Sequence, residues 1–134
     1  MNRKLTLLSG ELGLIEAISY GSAKSMRAPK AEVFTNAKLY LYYNPVRNHY
    51  TLKDVEIIES NEGLKSDITL TYKGLFMTEL IMKTHGGDSQ AEYELLGTAL
   101  TLLSQTNGDW VLIQFVFRLA ELLGLHTDYV HCPV

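Results

Sequence analysis

The hydrophobic period of the chain changes at Ser66, and this change constrains the fold more than any other feature. Before it, apolar and aromatic residues alternate in short runs bounded by turn residues; after it, they recur three and four apart over long stretches. A chain that begins with period two and continues with period 3.6 is expected to place strands first and helices second, the α+β class. In the first part, "KLTLL" (4–8) and "LIEAISY" (14–20) flank "SGELG", whose Gly10 and Gly13 suit a turn with positive φ, so a hairpin is predicted. A second hairpin pairs "EVFTNAKLYLYY" (32–43) with "HYTLKDVEIIE" (49–59) across the turn "NPVRN". Closing such strands into a small barrel would remove their open edges.

Three helices are predicted from Ser66 onward. The first carries Ile68, Leu75, Phe76 and Leu80 at helical spacing and stops at Gly86-Gly87. The second opens with Ser89-Gln90-Ala91-Glu92, which fits a capping box in which Ser89 and Glu92 each satisfy an unpaired backbone N–H. The third runs from Asp109, the expected N-cap, to Gly124. Its apolar residues, Val111, Leu112, Phe115, Leu119, Leu122 and Leu123, cover more than one stripe, which predicts a central, buried helix. Gly74 and Gly97 lie inside the first and second helices, where close approach of helix backbones is the expected compensation for their poor helix propensity. The domain boundary is therefore expected near residue 63, with a β unit at 1–63 and a helical unit at 64–134.

Charge divides along almost the same line. Residues 1–53 hold eight Lys or Arg against three acids, a balance of +5, whereas residues 54–134 hold four against twelve, a balance of −8. The first half therefore suits a polyanion such as nucleic acid, and the second a neutral or basic partner. No window is long and apolar enough for a membrane span, and the start "MNRKLTLLSG" is too quickly polar for a secretory signal, so a cytoplasmic location without membrane attachment is expected. The single cysteine, Cys132, fits a reducing compartment.

Positive charge concentrates on "SYGSAKSMRAPK" (19–30), which holds Lys24, Arg27 and Lys30 and no acid. A phosphate-binding P-loop fails on detail, because Ala23 precedes Lys24 and no glycine stands at the required spacing. A cationic loop on a β-platform, able to follow a phosphodiester backbone without demanding a sequence, is the better description. Tyr20, Tyr40, Tyr42, Tyr43 and Tyr50 share this basic half, and alternation predicts that about two of the five are exposed and able to stack a base. The expected DNA-binding set is Arg3, Lys4, Lys24, Arg27, Lys30, Lys38 and Arg47 with Tyr20 and Tyr42. No G-x-S-x-G, H-E-x-x-H or C-x-x-C motif occurs, and no catalytic residues are expected.

"LTLLSGELGLIEAISYGSAKS" resembles the opening of the RecO family of bacterial recombination mediators, through Leu7, Leu8, Gly13, Leu14, Ala17, Gly21, Ala23, Lys24 and Ser25. "FVFRLAELLGLHTDYVHC" is similar to a later segment of that family, through Phe115, Arg118, Leu119, Leu123, Gly124 and Cys132. The resemblance implies an N-terminal OB-fold, a helical domain and no catalysis. It further implies binding and annealing of single-stranded DNA, binding of duplex DNA, partnership with RecR and single-strand-binding protein, and help in RecA loading, in a cytoplasmic, nucleoid-associated setting. The single-strand-binding protein's tail is acidic and ends in an apolar residue, so Arg118 and Phe115 become the expected partner-binding residues.

Two departures from the family pattern follow. The strand that usually precedes the position of Asn2-Arg3 is missing from the pattern, which would leave a barrel short of its first stave, and the sequence stops at Val134, where a second cysteine would stand, so the chain reads as cut short at both ends. His126, His131 and Cys132 form a loose cluster, but a closed zinc site needs four ligands, so no cofactor is expected unless a longer chain supplies more cysteines. Two other readings stay open: a peptide-binding adaptor whose helical half recruits a protein while the barrel is only a scaffold, and a small metal-dependent or nucleotide-binding enzyme.

Overall fold

The computed structural model describes residues 2–20, 32–106 and 108–124. Four strands come first, β1 (Asn2–Ser9), β2 (Gly13–Tyr20), β3 (Asn36–Asn44) and β4 (His49–Glu59), then a 3-10 turn at Glu62–Leu64 and three helices, α1 (Ile68–Thr84), α2 (Ser89–Thr106) and α3 (Asp109–Leu122). The layout is α+β, as the change of period predicts.

Both predicted hairpins form. In the first, Ser9 Oγ accepts from the backbone N–H groups of Glu11 and Leu12, and Gly13 re-enters the strand at φ 76°, a conformation that costs glycine nothing. In the second, Asn44 Oδ1 accepts from Val46 and Arg47 N–H groups while Asn48 takes the left-handed position at φ 57°. The hairpins join through a short parallel contact, Ala17 opposite Tyr50 and Ile18 opposite Thr51, giving the mixed order β1-β2-β4-β3. Among the described residues β1 and β3 are edges of this sheet, and no pairing between them closes a barrel.

The third strand starts later than alternation predicts. Glu32–Thr35 forms a turn closed by Thr35 N–H to Glu32 O, and Phe34 takes φ 69°, which a bulky residue adopts only when its surroundings hold it there. The holding contacts are visible: Phe34 is buried, its carbonyl accepts from Asn61 Nδ2 at 2.8 Å, and its ring lies where a Cβ on Gly74 would stand, 2.8 Å away. Gly74 is thus kept small by an aromatic ring and not, as expected, by a neighbouring helix backbone. Gly97 likewise faces the side chain of Asn36 and no helix backbone.

Two helix starts also differ from expectation. Asp88, not Ser89, caps α2, its Oδ1 accepting from Gln90 and Ala91 N–H groups. Glu92 is then free to turn inward, where it is 1% exposed and its Oε1 meets His85 Nδ1 at 2.9 Å. Gly108, not Asp109, is the N-cap of α3; the Asp109 carboxylate reaches across to Lys73 Nζ at 2.6 Å. Asp67 caps α1 through Thr69 and Leu70 N–H groups.

The core sits among the helices. Leu64, Met77, Ile81, Leu103, Val111, Phe115 and Leu119 are buried together, with Phe34 inserted from the sheet side. One stripe of α3 is fully buried, Val111, Phe115 and Leu119, with Leu112 packed partly against the core beside it. Its other faces leave Trp110, Ile113, Val116 and Phe117 exposed, so α3 is not the central, enclosed helix that its all-round apolar character predicts. No helix among the described residues is long and apolar enough to cross a membrane.

Candidate nucleic-acid interface and partner groove

The outer face of the β3–β4 hairpin carries alternating cations and rings. Lys38, Tyr40 and Tyr42 leave the same side of β3 because side chains of a strand repeat every second residue. Lys53 joins them from β4 through a bulge: Tyr40 pairs with Asp54 and Leu41 with Leu52, so Lys53 is the extra residue. The bulge lets Leu52 point into the core while Lys53 and Asp54 both turn outward. Lys38 Nζ stands 5.5 Å from the Tyr40 ring centroid, and Lys53 Nζ 5.5 Å from that of Tyr42. The expected DNA-binding set holds Lys38 and Tyr42 but neither Lys53 nor Tyr40, which the residue pattern offers only as one of five candidate rings; period two could have selected Tyr40, whereas Lys53 depends on a bulge that alternation does not announce.

Four of the five tyrosines, Tyr20, Tyr40, Tyr42 and Tyr43, are exposed, twice the expected number. Among the described residues no closed barrel core forms to bury them. Tyr43 is engaged locally, its hydroxyl donating to Asn48 Oδ1 and its ring tilted at 60° against Tyr50, 5.1 Å between centroids. Tyr20 stands at the end of β2 opposite Asn2, on the far side of β4 from β3.

The predicted cations are dispersed. Lys4 pairs with Glu16 at 3.0 Å on the β1–β2 hairpin, Arg3 is exposed on the same strand, and Arg47 is exposed in the β3–β4 turn. Lys24, Arg27 and Lys30 lie outside the described residues, as do His126, His131 and Cys132. Among the described residues no three His, Cys, Asp or Glu side chains gather where they could hold a metal ion.

A second feature lies between α2 and α3. Leu95, Ala99, Leu102, Trp110, Phe115 and Arg118 line a groove of about 360 Å³, with Thr98, Val111 and Gln114 completing it. Phe115 is 1% exposed and forms its floor, and Arg118 stands exposed at its mouth. The lysines of the helical half are each paired, Lys65 with Glu32, Lys73 with Asp109 and Lys83 with Glu79, whereas Arg118 makes no ion pair among the described residues. An apolar groove with a guanidinium at its rim can take a side chain or chain end that is apolar beside a carboxylate.

Comparison with known proteins gives one consistent answer. The chain is 33% identical over 98% of its length to a protein of Heliobacterium modesticaldum named DNA repair protein RecO, covering 46% of that protein. Proteins of the same name from Syntrophotalea carbinolica and Symbiobacterium thermophilum are 29% and 27% identical over 98% and 96% of the chain, which covers 53% and 52% of them. The chain thus spans about half the length of the curated relatives it matches. No family model matches it, and no solved structure matches it significantly. Over nearly all of its own length the chain is thus similar to three proteins named RecO, which supports its assignment to that family.

Proposed function

We propose that the protein is a DNA repair and recombination mediator that binds DNA through its sheet and loop, anneals strands, and recruits partners through its helical half. The observation that carries this reading is the similarity to three proteins named DNA repair protein RecO over nearly the whole chain. Residues 1–63 are read as the nucleic-acid-binding unit, with the sheet as an open variant of an OB-type barrel, and residues 64–134 as the partner-recruiting unit. The +5 balance of residues 1–53 supports the first assignment. The α2–α3 groove, with Phe115 and an Arg118 that makes no ion pair among the described residues, supports the second, its partner being the acidic, apolar-ended tail of single-strand-binding protein. RecR, RecA loading and a nucleoid-associated cytoplasmic location belong to the same reading, and no catalytic step is assigned to this chain.

The test is a fluorescence titration with a single-stranded oligonucleotide at rising salt. Three phosphate contacts from the loop alone would weaken binding about twentyfold between roughly 50 and 200 mM salt. Changing Lys24, Arg27 and Lys30 together to Glu should abolish binding, and salt-independent binding would overturn the loop's role. A second reading, the peptide-binding adaptor, rests on the same groove. It is favoured if a pull-down with an acidic, apolar-ended peptide survives the loop substitutions and fails on Arg118→Glu, while wild-type protein shows no affinity for DNA.

A further inference from the structure

The hairpin face bearing Lys38, Tyr40, Tyr42 and Lys53 is not a phosphate clamp, because Asp54 and Glu56 stand opposite Tyr40 and Lys38 on β4 and balance the two lysines. Tyr40 Oη itself donates to Glu56 Oε2 at 3.3 Å. What this face offers is ring surface: Tyr40 is 43% exposed and Tyr42 53%, each with a lysine ammonium resting over it.

The two rings are separated by two residues of one strand, about 7 Å. That is about twice the ~3.4 Å rise between stacked neighbours in a duplex strand. Bases inside a duplex have both faces covered by their neighbours, so these rings can stack only on a strand that is unpaired and stretched. We propose that Tyr40 and Tyr42 form a two-rung ladder for consecutive bases of an extended single-stranded nucleic acid, with Lys38 and Lys53 moving aside from the ring faces. The proposal rests on the nucleic-acid-binding reading above and deepens it by naming the strand state and the residues that select it. Tyr43 is excluded from the ladder because Asn48 and Tyr50 hold it at the hairpin end.

The experiment compares Tyr40→Leu/Tyr42→Leu with wild type on three probes of equal length: an oligo-dT, an abasic oligonucleotide with the same phosphates, and a duplex. Wild type should bind oligo-dT more tightly than the abasic strand. The double variant should lose roughly tenfold or more of its oligo-dT affinity, falling to the abasic level. Its abasic and duplex affinities, and the slope of affinity against salt, should stay unchanged. Tyr40→Phe/Tyr42→Phe keeps the rings and should bind as wild type does. Equal losses on all three probes, or unchanged oligo-dT binding by the Leu variant, would overturn the ladder while leaving DNA binding standing. Absence of wild-type binding to every probe would overturn the DNA-binding reading and the ladder with it.

Discussion

The helical half and the sheet half of this molecule bury their apolar residues very differently. Among the helices, Leu64, Met77, Ile81, Leu103 and Phe115 are almost wholly enclosed, whereas the sheet encloses chiefly Ala17 and Leu52 and leaves most of its tyrosines in solvent. The difference follows from layer geometry: three packed helices surround a common interior, whereas an open sheet has one face to bury and another to present. Stability is therefore expected to reside in the helices and recognition on the sheet. Phe34 and Asn61 join the two, since Asn61 bonds Phe34 O with its amide nitrogen and accepts from Thr101 Oγ1 on α2.

The sharpest test of this contrast is truncation of one buried residue on each side. Phe115→Ala should destabilise by about 3 to 5 kcal/mol and Leu52→Ala by about 2, read from urea unfolding. A larger loss at Leu52 would break the comparison. Next comes the seam. Gly74→Ala drives a methyl into the Phe34 ring and should cost about 1 to 3 kcal/mol. Combining it with Phe34→Ala should cost less than the two changes summed, and strict additivity in that double-mutant cycle would show that the contact does not couple them. The smallest effect concerns the entry of α2: Asp88→Ala should cost about 1 kcal/mol through loss of two backbone hydrogen bonds, and Ser89→Ala less than about 0.5. The reverse ranking would reinstate the capping box that the residue pattern suggests.

Much of the fold was legible in the residues because its causes are local. Two hairpins, three helices and the left-handed Gly13 follow from alternation, turn chemistry and helix punctuation, although Gly10, expected to share that conformation, does not take a positive φ. The start of α2 was misread by one residue because Asp88 and Ser89 are both good capping residues side by side; with Asp88 holding the Gln90 and Ala91 N–H groups, the Glu92 side chain that a capping box would use lies buried beside His85. The candidate site was half legible: Lys38 and Tyr42 stand out in "AKLYLYY", yet Lys53 reaches their face only through a bulge, and Phe115 and Arg118 line a groove only because α3 lies along α2.

The sequence by itself determined the order of strands and helices and the opposite charge of the two halves, since periodicity, capping chemistry and ionisable side chains act over a few residues. Only the tertiary structure decided which tyrosines face water, that Phe34 holds a left-handed backbone against Gly74, that α3 shows a broad apolar side to solvent, and that Arg118 stands without an acidic partner among the described residues. Those outcomes depend on which distant segments share the same space, and a local pattern carries no information about its eventual neighbours.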